Sequence, residues 1–204
     1  MALELSVSAL LGYLIGNIIP AALLDKIKKA GLRKKGTRNL GATNTLLVLG
    51  KKWGVLVLIF DMLKAFFAVY LAQWIFPLQP LSGMVSGTCA VLGHVFPFYM
   101  GFRGGKGLAA FGGLVLAVDW RLFLLLLGVD AVLVLLTDVW VVTPFFAGIF
   151  FPLLYGIFFH DLWGALVAAL AGAVLIYKNV EGLRRALRGE DKSVRQTLFK
   201  KREK

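Results

Sequence analysis

Trp53-Gly54-Val55-Leu56-Val57-Leu58-Ile59-Phe60-Asp61-Met62-Leu63-Lys64-Ala65-Phe66-Phe67-Ala68-Val69-Tyr70-Leu71-Ala72-Gln73-Trp74-Ile75-Phe76 is the stretch on which the fold turns. About twenty apolar residues cross a bilayer as a helix, and this run is long enough. It holds only two charges, Asp61 and Lys64, three positions apart and therefore on one helical face. Charges at such depth mark function by default, although mutual neutralisation explains this pair as simply. The rest of the chain agrees with a membrane setting. Hydrophobic residues make up 59% of its 204 residues, against about 45–50% in soluble domains, and mean hydropathy is +0.80. A disordered chain, a disulfide scaffold and an ordinary cytosolic enzyme are thereby excluded.

Working outward, six further apolar segments stand out: Leu3–Leu24, Leu81–Met100, Leu108–Val118, Leu122–Leu136, Trp140–Phe159 and Trp163–Tyr177. Trp53, Trp74, Trp120, Trp140 and Trp163 fall at segment ends, where an indole prefers the headgroup level. Leu108–Val118 is short, about 16 Å at 1.5 Å per residue, half of the ~30 Å core. A turn at Asp119-Trp120-Arg121 separates it from the next segment. The N-terminal segment carries Glu4 and no basic leader, so it reads as a retained span. The expected fold is all-α and integral to the membrane: one compact bundle of seven transmembrane helices, the fourth short, in a single domain over 1–204.

Net charge is +12, with only 17% of residues charged, so the positive charge is concentrated. The 25–52 loop holds nine Lys/Arg and one acid; the tail 178–204 holds ten Lys/Arg and four acids. Seven spans with the N-terminus outside put both segments, and Arg103 and Lys106, on the cytoplasmic side, as the positive-inside rule requires. An even number of spans would split them. The basic tail, with Arg184-Arg185 and Lys200-Lys201-Arg202, reads as a surface for lipid headgroups. Nucleic acid is disfavoured as a partner because the basic segments flank spans.

Two strings carry the chemistry. Gly36-Thr37-Arg38-Asn39-Leu40-Gly41-Ala42-Thr43-Asn44 sets glycines, which let N–H groups converge on an anion, among neutral donors and an arginine. The same string also reads as a turn with Thr43 or Asn44 capping a helix. Gly93-His94-Val95-Phe96-Pro97 and Gly101-Phe102-Arg103-Gly104-Gly105-Lys106-Gly107 lead into the short fourth helix, whose N-terminus is a ready anion site. The spacing is not that of a P-loop, and the G-x-G-x-x-A match lacks the strand a dinucleotide fold needs. His94 either orients a phosphate and moves protons or simply bonds a neighbouring carbonyl. His160 lies in an outer turn, and neither histidine has an aspartate five positions on. One cysteine, Cys89, excludes internal disulfides, and with two scattered histidines it argues against zinc. Asp130 stands alone in its span. Gly164, Ala168 and Gly172 form a small-residue ridge for helix packing.

Together the two strings resemble the bacterial acyl-phosphate:glycerol-3-phosphate acyltransferases, small seven-span proteins of the inner membrane. The likeness continues through Leu49-Gly50-Lys51-Lys52, Asp61 and Lys64, and Tyr177, Glu181 and Gly189. It implies transfer of a fatty acyl group from acyl phosphate to the 1-hydroxyl of glycerol 3-phosphate, giving lysophosphatidate and phosphate for phospholipid synthesis, without a cofactor. It implies catalytic roles for Thr37, Asn44, His94 and Lys106. Substrate contacts would fall to Gly36, Arg38, Asn39, Gly41, Arg103, Gly104, Gly105, Gly107 and Asn179. Partners would be acyl phosphate, glycerol 3-phosphate, membrane lipids and an acidic protein that carries or supplies the acyl group. Four positions depart from the family pattern. Thr37 replaces serine, Leu47 arginine, Asn179 histidine and Gly182 asparagine, and the last three remove polar functions that bear on rate and acceptor. A non-catalytic or transport protein that keeps the anion frame is the alternative.

Overall fold

The computed structural model describes residues 1–190, which form helices joined by turns, with no strand among them. The cluster Lys200-Lys201-Arg202 and the end of the basic tail lie outside the described residues. The helices are α1 (Ala2–Gly16), α2 (Pro20–Lys28), α3 (Ala42–Leu49), α4 (Lys51–Ile75) and α5 (Ser82–Val95). They continue with α6 (Leu108–Val118), α7 (Trp120–Thr137), α8 (Val142–Phe159) and α9 (Leu162–Leu187). Among the described residues, five stretches are long and apolar enough to cross a membrane: Ala2–Lys28, Lys51–Ile75, Trp120–Thr137, Val142–Phe159 and Leu162–Leu187. The chain is an all-helical integral membrane protein; α5 and α6 are shorter than a full span.

The first apolar segment is broken rather than continuous. Pro20 has no N–H to give and its ring crowds the preceding turn, so α1 stops and α2 restarts with proline in its first turn. Asn17 buttresses the break, donating from Nδ2 to Tyr13 O at 2.6 Å and accepting from Phe98 N at 3.0 Å. The third segment also ends early. The residue before a proline avoids helical geometry, and Phe96 before Pro97 leaves it at φ −125°, ψ 60°, so α5 closes at Val95 and a 3-10 turn covers Phe98–Met100.

The short α6 has the bounds its apolar run predicts, and Asp119 ends it. That aspartate caps α7, accepting from Arg121 N at 2.7 Å and Leu122 N at 2.9 Å. Asp161 does the same for α9 through Gly164 N at 3.0 Å, and also accepts from the Tyr155 hydroxyl.

Helix α5 is the hub, packed against α1, α4, α6 and α9. Small residues permit this closeness. A Cβ at Gly12 or Gly16 would overlap the carbonyls of Ser86 and Ala90, and one at Gly93 would overlap that of Tyr13. Gly172 meets the backbone of Gly148 in the same way, so the ridge with Gly164 and Ala168 serves the α8–α9 contact. Eleven of the fourteen residues of α5 are buried, but only three of eighteen in α7. The side chains of α7 and α8 thus turn largely outward, presenting leucine and phenylalanine as a lipid-facing surface.

Candidate functional site: a glycine turn on a buried charge cluster

Beyond α5 the chain turns back on itself. Gly101 and Phe102 adopt left-handed geometry, φ +61° and +59°. This reversal sends Gly104 N to Val95 O and Gly105 N to His94 O, each at 3.0 Å. The last carbonyls of a helix have no partner within it, and these two glycines supply one. The N–H groups of Gly104 and Gly105 are therefore already engaged and do not face an anion, contrary to the simplest reading of a glycine-rich cradle. The donors lie one step later. Gly107 begins α6 at φ +91° without a side-chain cap, leaving Leu108, Ala109 and Ala110 N–H without acceptors inside the helix. Lys106 sits at that opening, half-buried.

Beneath the turn lies a charge cluster. Lys64 Nζ is 2.8 Å from Asp61 Oδ1, 2.8 Å from His94 Nδ1 and 2.7 Å from Ile18 O. The ammonium donates to the Ile18 carbonyl, faces the imidazole and pairs its charge with the carboxylate. The ion pair is off the line of a well-formed hydrogen bond, and Asp61 Oδ1 gains mainly charge attraction. Asp61, Lys64 and His94 are 1%, 7% and 2% exposed, so the cluster is sealed from solvent. His94 Nδ1 lies between the two charges, 2.8 Å from Lys64 Nζ and 3.2 Å from Asp61 Oδ1. Nε2 lies against Gly105, where an added Cβ would overlap it. The sequence puts Asp61 and Lys64 on one face but gives no sign that His94 and the Ile18 carbonyl, left open where Ala22 N turns to Ile19 O, complete the set.

The first string forms a tied loop beside the turn. Asn44 Oδ1 accepts from Thr37 N and Nδ2 donates to Leu32 O, both at 2.7 Å. Leu32 N in turn donates to Asp25 Oδ1 at 2.9 Å. Asn44 is fully buried, so its present work is to hold the loop. Gly36, at φ +59°, is obligatory: a Cβ would overlap Asn44 Oδ1. The N-cap of α3 is Gly41, with no side-chain cap; Thr43 and Asn44 instead lie within the helix, and Thr45 Oγ1 donates back to Gly41 O at 3.0 Å. Thr37 and Arg38 remain exposed and Asn39 half-buried. Arg33 Nη2 donates to Arg103 O at 2.7 Å, which joins this loop to the glycine turn.

Helix α9 closes the third side. Asn179 is buried and its Nδ2 donates to Leu175 O at 2.8 Å, with Lys106 O at 3.5 Å. Gly182 stands beside Lys106: a Cβ there would lie 3.8 Å from Nζ. Lys178 lies over the Phe96 ring, 5.3 Å from its centroid. Three distant strings thus meet around Lys106 and Arg103. Leu47 is not drawn in; it is 60% exposed on α3.

The arrangement has close counterparts. A family model described as "Glycerol-3-phosphate acyltransferase" matches residues 6–189. "Glycerol-3-phosphate acyltransferase 1" of Oceanobacillus iheyensis is 30% identical over 203 residues, covering 96% of this chain and 97% of that protein. The "Glycerol-3-phosphate acyltransferase" of Aquifex aeolicus is 42% identical over 107 residues, 52% of this chain and 56% of that one. Among solved structures, the glycerol 3-phosphate form of PlsY, an integral membrane glycerol 3-phosphate acyltransferase, superposes with a TM-score of 0.86. It is 31% identical, over 96% of this chain and 99% of that one. The lysophosphatidic acid form of the same enzyme superposes at 0.84.

Proposed function

Because the chain belongs to the glycerol-3-phosphate acyltransferase family, we propose that it acylates the 1-hydroxyl of glycerol 3-phosphate from an acyl phosphate donor. The hydroxyl oxygen attacks the acyl carbonyl carbon, the bond from that carbon to the phosphate oxygen breaks, and lysophosphatidate and inorganic phosphate leave. A mixed anhydride is already activated, so positioning and charge stabilisation carry most of the work. A substrate phosphate takes the hydroxyl proton, because an activated acyl donor needs no strong base to drive the attack.

One observation carries this reading: Lys106 stands at the uncapped start of α6, with Arg103 and the basic 25–52 loop beside it. A phosphate placed there meets a helix N-terminus and a point charge together. In this assignment Lys106, Arg103 and the Gly107 backbone bind phosphate, and the exposed Thr37, Arg38 and Asn39 approach it from the first loop. Gly36, Gly41 and Asn44 shape that loop, Gly104 and Gly105 shape the turn, and Asn179 steadies Lys106. His94 serves from beneath. The acyl chain enters from the bilayer, and an acidic carrier or donor protein docks on the basic loop.

For the membrane, we place α5 and α6 as the third and fourth of seven crossings in the bacterial inner membrane. The N-terminus is then outside and the loop 29–41 and α9's end cytoplasmic, in accord with the charge distribution. The test is direct. Purified protein, palmitoyl phosphate and labelled glycerol 3-phosphate, with no carrier protein, yield labelled lysophosphatidate. Lys106→Ala lowers the rate roughly ten- to over a hundredfold, the worth of one charged hydrogen bond at about 1.5–3 kcal/mol. Binding of phosphate without turnover supports the non-catalytic alternative, and an unaffected Lys106→Ala enzyme puts the chemistry elsewhere.

A further inference from the structure

The cluster of Asp61, Lys64 and His94 lies one layer below the groups that would meet substrate, and its own contacts give it a job. We propose that these three are positioning residues, acting through Gly105 to hold the turn that presents Lys106 and the start of α6 to a phosphate. This rests on the phosphate-binding reading of that turn given above.

His94 grips Gly105 twice. Its carbonyl accepts from Gly105 N at 3.0 Å, and its ring edge at Nε2 is the surface on which Gly105 rests. A ring can serve as a platform only if it cannot turn. Lys64 and Asp61 supply that constraint, with Nζ 2.8 Å and Oδ1 3.2 Å from Nδ1, and Lys64 is itself fixed by Asp61 and Ile18 O. The Ile18 carbonyl belongs to the break between α1 and α2. That break is bound to the start of the same turn, because the Tyr99 hydroxyl donates to Asn17 O and the Tyr13 hydroxyl to Phe96 O, both at 2.8 Å. A continuous set of directed contacts therefore runs from the middle of α4 to Gly105. If the pair merely neutralised itself for burial, Asp61 and Lys64 would suffice; the added bonds to the ring and to Ile18 O tie it to the turn.

The test uses the full-length protein in nanodiscs. Asp61→Asn with Lys64→Met removes both charges without stranding either in the bilayer. His94→Asn keeps an acceptor for Lys64 but removes the ring, and it serves if the double variant does not fold. Both are assayed for the KM of glycerol 3-phosphate and of palmitoyl phosphate, for kcat, and for inorganic phosphate binding by calorimetry. A loosened turn raises at least one KM tenfold or more and weakens phosphate binding alike, while kcat changes less than threefold. A merely structural loss lowers the active fraction, so kcat falls with KM unchanged, and that outcome overturns the proposal. Adding Gly105→Ala to the variants discriminates further. If the cluster acts through Gly105 the effects on KM fall well short of multiplying; if they multiply, the proposal fails. Wild-type protein that binds no phosphate at millimolar concentration refutes the phosphate reading itself, and the positioning role falls with it.

Discussion

A single methyl group on Gly105 is the sharpest probe of the turn. The Cβ of Gly105→Ala would overlap His94 Nε2 and lie 2.8 Å from Cε1 and 3.0 Å from Cδ2. The ring has no easy retreat, being 2% exposed with Nδ1 held by Lys64. Relief must come from lifting the turn, which stretches the bond from Gly105 N to His94 O. Overpacking of this kind costs about 1–3 kcal/mol. If the strain falls on the turn rather than on the bundle, it lowers kcat/KM for glycerol 3-phosphate about five- to 150-fold. Gly128→Ala is the control, because nothing lies within 4 Å of a Cβ there and its backbone is ordinary helix. Initial rates with labelled glycerol 3-phosphate, beside thermal unfolding of both variants, separate site damage from global damage. Activity of Gly105→Ala equal to that of Gly128→Ala would refute the packing of His94 against the turn.

Other outcomes follow from the same contacts. In a Cys89→Ala background, a cysteine replacing Lys34 should resist an impermeant thiol reagent in intact cells while one replacing Leu78 labels; labelling of positions 34 and 190 from opposite sides would exclude seven crossings. Asn179→His should raise glycerol 3-phosphate turnover several-fold by adding a donor able to carry charge near neutral pH beside Lys106, whereas a chain adapted to another acceptor would lose activity on that acceptor. Gly172→Leu should lower the unfolding temperature markedly, since its Cβ would overlap the Gly148 carbonyl oxygen and lie 3.0 Å from the carbonyl carbon; an unchanged unfolding temperature would show that α8 and α9 are not in backbone contact.

Helix type and several bounds were legible because bilayer helices answer to one-dimensional rules. The apolar run Leu108–Val118 became α6 without adjustment, and Asp119 capped its neighbour as a charged turn residue should. The breaks at Pro20 and Pro97 had local signals in the prolines, but unbroken hydrophobicity over Leu3–Leu24 and Leu81–Met100 concealed them. The two strings do come together in the fold, joined where Arg33 donates to the Arg103 carbonyl. Their internal wiring did not show, because whether a glycine N–H faces an anion or a helix carbonyl depends on how the chain reverses at Gly101. Nor could Asp61 and Lys64 be joined to His94, thirty residues later. Periodicity says which residues share a face of one helix and is silent on which face of another helix they meet.

The contrast between α5 and α7 divides the molecule by its tolerance of change. On α5 nearly every side chain has a protein neighbour, so volume, polarity and even the absence of a Cβ are specified position by position. On α7 most side chains meet only lipid, and any apolar residue that sustains a helix serves as well as another. Leu124, Leu125, Leu127, Val129 and Val132 could be exchanged among aliphatic types at almost no energetic penalty. A lineage can therefore rewrite such outward-facing positions while its backbone stays in place, and 31% identity at a TM-score of 0.86 shows how far sequence and backbone can part. Low identity along α7 would carry little functional meaning, and a single substitution on α5 would carry much.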